Sequence, residues 1–272
     1  GQSFGGHYIP SLAVQIHRKN SEGSSFINLK GITIGNPFID LTCHDFGSLL
    51  YQVGIVDETQ RDDMYYYQRR IKSYVKAKNY TAAWMDWDYI LYLIDNKTQI
   101  PNKYNILTVP SQVSNYNEFV NSSFVRCAIH VGNVNFTNPN WDVYYWLLLT
   151  IAEPFSSDIE TLLSTKKYIV ALYSGNLDTM CSYTSTVCVM RKLRWSGREE
   201  YLNATRQIWY LHDQVVGWYK TADNLLLDIL VKDGDHSVPK TKPEAAYTMI
   251  HSIISAGSGM NPLWKLQNDS YT

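Results

Sequence analysis

Gly1-Gln2-Ser3-Phe4-Gly5-Gly6-His7-Tyr8-Ile9-Pro10 is the stretch on which the reading of the whole chain turns. Gly1-x-Ser3-x-Gly5 has the form of a nucleophile elbow. In such a turn a serine sits between a strand and a helix, and flanking glycines leave room for the strained backbone. The turn lifts the hydroxyl clear of the sheet and points it at the N-terminus of the following helix. Alone, G-x-S-x-G is a weak signal, because Gly and Ser are common turn residues. The following residues strengthen it: Ile9, Leu12, Ala13 and Ile16 fall on one face of a helix over residues 7–19. Thus the helix half of a strand–turn–helix is present, while the sequence begins at the glycine where the strand half would lie.

The composition around this stretch narrows the function classes. At 272 residues the chain can bury a large core, as one big domain or a domain with an insertion. It is 45% hydrophobic and 18% charged, with a net charge of −1, so it carries no basic excess for nucleic acid and no acidic tail. No apolar run approaches the roughly 18 residues of a membrane-spanning helix. Asn-x-Ser/Thr sequons occur at Asn79, Asn96, Asn121, Asn135, Asn203 and Asn268. Their density points to a glycoprotein of the secretory pathway. Four cysteines, Cys43, Cys127, Cys181 and Cys188, allow three pairings, and spacing alone does not choose among them. A local Cys181–Cys188 bridge is disfavoured, because i, i+7 helical spacing puts the Cα atoms about 10 Å apart. A free, buried Cys181 is therefore expected. No C-x-x-C is present and no histidine is placed to complete a zinc set, so neither a metal nor another cofactor is expected.

Outward along the chain, residues 27–36 (INLKGITIGN) read as a buried strand stopped by Gly-Asn-Pro. From residue 46 to 150 the character turns helical. An apolar stretch at 49–56 leads to a long helix through Lys78. A Trp- and Tyr-rich helix follows over 81–94, then a loop over 96–117 and a helix over 122–131 capped by Ser122 or Ser123. An α/β pattern then returns, with a strand at 166–175, a turn carrying Asp178 and a helix through Arg194. A hairpin over 207–211 and 215–219, a strand at 225–231 and a closing helix to about residue 255 complete it. The predicted fold class is α/β. Residues 1–45 and 151–272 form the core, and residues 46–150 form a helical cap whose aromatics either line a substrate cleft or merely pack.

The string GQSFGGHYIPSLA resembles the serine motif of the serine carboxypeptidases, G-E-S-Y-A-G-x-Y-[VI]-P. Ser3, Gly1, Gly6, Tyr8 and Pro10 fall on the pattern, with Gln2 in place of Glu, Phe4 in place of Tyr and Gly5 in place of Ala. The strand ending at Asn36 is similar to that family's K-G-I-x-I-G-N segment, and Asp40 matches an acidic turn residue read as structural. Tyr173-Ser174-Gly175 through Asp178 is similar to its Y-x-G-x-x-D segment. Asp233-Gly234-Asp235-His236-Ser237-Val238-Pro239 is similar to its G-x-G-H-x-V-P motif, with Asp235 in place of a glycine. The likeness runs over almost the whole chain and includes the vitellogenic carboxypeptidase-like branch.

The resemblance implies an α/β-hydrolase fold, of which this chain is expected to be the C-terminal part. It also implies a triad in the order Ser3, Asp178, His236. Ser3 is then the nucleophile, His236 the general base and acid, and Asp178 the residue that orients the imidazole. The Phe4 N–H becomes one oxyanion donor, and Gln2 and Cys181 fall at substrate-binding positions. Gln2 matches the position that contacts the substrate's terminal carboxylate. Asp235 either raises the pKa of the adjacent imidazole or points away from it. The implied activity is removal of C-terminal residues from peptides and proteins, in an extracellular or lysosomal setting, with no nucleic-acid partner. Family members carry the second oxyanion donor upstream of the serine, so these 272 residues by themselves are expected to be inactive. Two other readings use the same residues: a storage or protective binding protein without turnover, and an esterase or acyltransferase.

Overall fold

The structure, a computed structural model, describes residues 1–23, 26–108 and 116–257. Helix α1 (Gly5–Glu22) follows the elbow and is succeeded by strand β1 (Gly31–Gly35). A short 3-10 turn at Leu41–Cys43 is capped by Asp40, whose carboxylate accepts from the Thr42 N–H and hydroxyl at 2.8 and 2.7 Å. Asp40 is thus a structural turn residue.

Among the described residues seven helices come next: α2 (Phe46–Gln52), α3 (Glu58–Lys76), α4 (Tyr80–Thr98), α5 (Tyr116–Asn121), α6 (Ser123–Ala128), α7 (Trp141–Ile151) and α8 (Ser156–Ser164). Their starts are written in the sequence as side-chain caps. Asp57 and Gln60 form a reciprocal capping box on α3, and Asn79, Ser122 and Asn140 cap α4, α6 and α7. Helix α4 runs to Thr98, past the expected loop boundary, and α5, α7 and α8 are additions to the helices that periodicity predicts. The first of these three is only six residues long. Helix α7 is apolar on nearly every side, which blurs the 3.6-residue period.

The α/β pattern resumes with β2 (Ile169–Gly175), α9 (Tyr183–Lys192), α10 (Arg198–Asn203), β3 (Gln207–Leu211), β4 (Gln214–Ala222), β5 (Leu226–Val231), α11 (Val238–Thr241) and α12 (Pro243–Gly257). The five strands form one sheet in the order β1-β2-β5-β4-β3. β1, β2 and β5 run parallel, and β4 and β3 close the sheet antiparallel. Every residue of β2 and β5 is buried, as expected of central strands covered on both faces.

One face of the sheet packs Ile32, Ile34, Val170 and Leu172 against α1, α8 and α9. The opposite face packs Tyr173, Ile229 and Val231 against Ala246, Met249 and Ile253 of α12. A second core joins α2, α3 and α4 through Leu50, Met64, Ile71 and Ile90, and reaches Met180 and Cys181 beside the sheet. Ahead of the elbow, Gln2 forms an isolated parallel bridge with Gly35, with Ser3 N donating to Gly35 O and Gly35 N to Gly1 O, each at 2.9 Å.

The one disulfide among the described residues joins Cys43 to Cys188, with Cα atoms 5.5 Å apart, while Cys127 and Cys181 are free. It staples the 3-10 turn after β1 to α9.

Candidate active site

Asp178 and His236 come from the loops that leave the carboxyl ends of the adjacent strands β2 and β5, and Ser3 from the turn after the isolated Gln2–Gly35 bridge beside β1. That edge is where open α/β sheets place their sites. Ser3 has φ of +56°, in the left-handed region that a non-glycine residue occupies only when its surroundings demand it. Its carbonyl accepts from Gly6 N at 2.9 Å and Phe38 N at 2.8 Å, which holds the strained turn. The Phe4 N–H donates to no carbonyl among the described residues. At Gly6 a Cβ would come within 2.2 Å of Phe38 O, so only glycine lets the helix start lie this close to the loop after β1.

Asp178 is buried and its carboxylate is fully engaged. Oδ2 accepts from His236 Nδ1 at 2.6 Å and from Asn36 Nδ2 at 2.8 Å, and Oδ1 accepts from the N–H groups of Met180 and Cys181 at 2.9 and 3.3 Å. A carboxylate only accepts, so His236 Nδ1 carries a proton, which leaves the lone pair of the neutral ring on Nε2. The Ser3 hydroxyl lies beside the Cys181 thiol. No direct hydrogen bond joins it to His236 among the described residues, a looseness common in free sites that tighten on substrate. Burial and the Asp178 carboxylate hold the Cys181 thiol well above its ordinary pKa, so it is a neutral wall of the site.

Donor atoms of Asp178, Cys181 and His236 lie within 4.8 Å of one another. The direct 2.6 Å bond between two of them leaves no room for an ion between that pair.

Gln2 sits at the rim and its amide faces the histidine loop, donating to His236 O at 2.6 Å and Ser237 Oγ at 3.1 Å. A contact from this amide to a substrate carboxylate would have to replace one of those bonds. Asp235 turns away from the imidazole. Its Oδ1 accepts from Ser237 N at 2.8 Å and Thr241 Oγ1 at 3.0 Å, and its Oδ2 accepts from Asn105 at 3.2 Å.

Two residues at the site escaped the sequence reading. Asn36 is fully buried, with φ of +42°, and spans β1, β2 and Asp178. Its signal was an asparagine closing an apolar strand. Tyr104 places its ring 4.8 Å from the imidazole and accepts the His236 N–H at 3.0 Å. Nothing in its loop marked it.

Among the sequon asparagines, Asn79, Asn96, Asn135 and Asn203 are exposed and Asn121 is half-buried; Asn268 lies outside the described residues. No helix among the described residues is long and apolar enough to cross a membrane.

A mixed sheet of this order, with an elbow serine and a buried Asp–His pair at its carboxyl edge, defines an α/β-hydrolase fold. A prohormone-processing carboxypeptidase from Saccharomyces cerevisiae superposes with a TM-score of 0.75 at 20% identity, over 95% of this chain and 61% of that one. Residues 1–256 match the serine carboxypeptidase family, and the chain belongs to it. A venom serine carboxypeptidase of Apis mellifera is 32% identical over 265 residues, covering 92% of this chain and 56% of that protein. A vitellogenic carboxypeptidase of Aedes aegypti is 28% identical over 272 residues, covering 93% and 55%. The chain thus spans about half the length of the curated relatives it matches.

Proposed function

We propose that the whole protein containing this chain is a serine carboxypeptidase that removes C-terminal residues from peptides through an acyl-enzyme. The observation that carries the reading is the 2.6 Å bond between His236 Nδ1 and Asp178 Oδ2 beside the strained Ser3. Ser3 Oγ attacks the scissile carbonyl while His236 Nε2 takes its proton, and the same imidazole returns it to the leaving amine. Asp178 fixes the tautomer and stabilises the imidazolium. The Phe4 N–H, donated to no carbonyl here, is aimed at the developing oxyanion. Residues 46–150 act as a cap whose core reaches Met180 and Cys181, so the cap and the site share walls.

Exposed sequons and the Cys43–Cys188 bridge support an oxidising, secretory compartment, extracellular or lysosomal, with Asn79, Asn96, Asn121, Asn135 and Asn203 as glycan acceptors.

The commitment of both Gln2 amide protons to the histidine loop favours a second reading, an esterase or acyltransferase that does not grip a terminal carboxylate. A blocked dipeptide with a free C-terminus, compared with its C-terminal amide, separates the two: a carboxypeptidase prefers the free acid.

The test of the main reading is fluorophosphonate labelling of the whole protein, with Ser3→Ala, Asp178→Ala and His236→Ala beside it. An adduct on Ser3, with turnover lowered by roughly three or more orders of magnitude in each variant and no further loss on combining them, is expected of groups acting as one unit. Absence of an adduct on Ser3 sinks the enzyme reading.

A further inference from the structure

Asp178 and His236 lie beyond the ends of β2 and β5, where the sheet ladder no longer holds the chain. The backbones of the two loops are tied at their bases, by Leu177 N to Gly234 O at 2.9 Å and Asp233 N to Asn176 Oδ1 at 2.6 Å. There the backbones pass so closely that a Cβ on Gly175 would meet Gly234 C at 2.3 Å. Further out, a third segment takes over.

Lys103 O accepts from Thr179 N, Met180 N and Thr179 Oγ1 at 3.1, 3.2 and 2.8 Å, and Ile106 N donates to Leu177 O at 3.1 Å. Between these anchors, Tyr104 O accepts the His236 N–H at 3.0 Å and Asn105 Nδ2 donates to Asp235 Oδ2 at 3.2 Å. Four consecutive residues thereby bond both loops.

The segment is itself stiff. Asn102 Oδ1 accepts from Tyr104 N and Asn105 Oδ1 from Leu107 N, each at 3.0 Å, and Lys103 is ion-paired with Asp95 of α4. Asn105 is only 6% exposed, so its amide has little access to water as an alternative partner.

We propose that residues 103–106 are a positioning strap for the Asp178–His236 pair, with Asn105 as the positioning residue that locks the histidine loop through Asp235. The proposal rests on the triad reading above. Asp235, the residue that replaces a glycine of the family pattern, then serves the strap rather than the charge of the imidazole. Loss of the Asn105–Asp235 bond lets His236 drift relative to Ser3 while substrate contacts elsewhere remain, so the cost falls on kcat and spares KM.

The experiment uses the whole protein and three variants, Asn105→Ala, Asn105→Asp and the exchanged pair Asn105→Asp with Asp235→Asn. Asn105→Asp sets two carboxylates face to face. The exchanged pair restores one donor and one acceptor, and the amide oxygen introduced by Asp235→Asn can still accept from Ser237 N and Thr241 Oγ1. Two readouts are taken: kcat and KM for a blocked dipeptide, and the downfield proton resonance of the His236 Nδ1–H, which reports the Asp178–His236 bond without turnover. Both single variants should lower kcat about tenfold or more with KM within about twofold, and shift or broaden the resonance. The exchanged pair should recover most of both.

Unchanged kcat and resonance in the single variants overturn the proposal, as does an exchanged pair no better than Asn105→Asp. If Asn105→Ala does not fold, Asn105→Asp and its exchange still decide the matter. Failure of the triad reading shows separately, as no fluorophosphonate adduct on Ser3, while the resonance continues to report on the strap.

Discussion

Asn36 and Asp178, 142 residues apart, share a buried hydrogen bond of 2.8 Å onto the same carboxylate oxygen that meets His236 at 2.6 Å. Asn36 therefore sets the carboxylate's orientation from the end of β1. Asn36→Asp keeps the shape and the tolerance for positive φ but turns the donor into a second carboxylate. We expect kcat to fall about tenfold or more near neutral pH, following the loss of a buried bond to a charged group. It should recover partly in acid, where the two carboxyls share a proton. A pH–rate profile identical to the parent's would show that Asn36 does not govern Asp178.

Gln2→Glu tests the rim of the site. The amide now donates to His236 O and Ser237 Oγ. A glutamic acid can donate to a carbonyl only while protonated, so the variant should match the parent in acid and lose activity above about pH 5, where an ordinary carboxyl ionises. The parent should show no such step from this site. Measurement of kcat/KM from about pH 4.5 to 7.5, spanning the ordinary carboxyl range, checks it. Parallel profiles would mean that the Gln2 bond to the histidine loop has no bearing on turnover.

His7 lies buried on α1 against Phe4, Phe38 and Phe155, with neither ring nitrogen hydrogen-bonded among the described residues. Burial, aided by nearby His44, lowers its pKa to about 3. The folded value lies below the unfolded 6.5, so the neutral ring's contribution is complete above pH 6.5 and is lost progressively as pH falls toward 3. Between about pH 7 and 4.5 this amounts to about 2–3 kcal/mol, at ~1.4 kcal/mol per unit. His7→Phe should remove that part of the acid destabilisation in denaturant titrations at the two pH values. An acid loss as large in the variant as in the parent would refute a neutral His7.

The Cys43–Cys188 bridge closes a loop of 145 residues. Chain-entropy arguments put the upper limit of such a constraint at about 5 kcal/mol. Cys43→Ser with Cys188→Ser should lower the denaturant midpoint accordingly while leaving the Asp178–His236 bond in place. An unchanged midpoint would contradict a stabilising role.

Several features were legible because they are local. Glycines two places either side of Ser3, with the one-sided pattern after it, announce a strand–turn–helix. Ser122 caps its helix as the sequence reading expects, and Asp57 opens the long helix read after it. Helical spacing disfavoured a Cys181–Cys188 bridge; Cys181 in fact precedes α9, and Cys188 pairs with Cys43 instead. Asp235 shows where such reading stops. Adjacency to His236 left open whether it acts on the imidazole, and the structure commits its carboxylate to Ser237, Thr241 and Asn105 instead.

The sequence by itself determined the alternation of strands and helices and the elbow, because each is encoded within a few positions by turn chemistry and periodicity, while Asp178 and His236 stood out only through their resemblance to the family's motifs. Tertiary structure alone decided that Cys43 pairs with Cys188, that Asn36 and His236 share one oxygen of Asp178, and that Gln2 holds the loop 234 residues away. It likewise decided that a strap from the helical segment joins the loops of Asp178 and His236. Those contacts depend on the parallel register of β1, β2 and β5 and on how closely glycine lets their loops approach. Local periodicity carries no information about either.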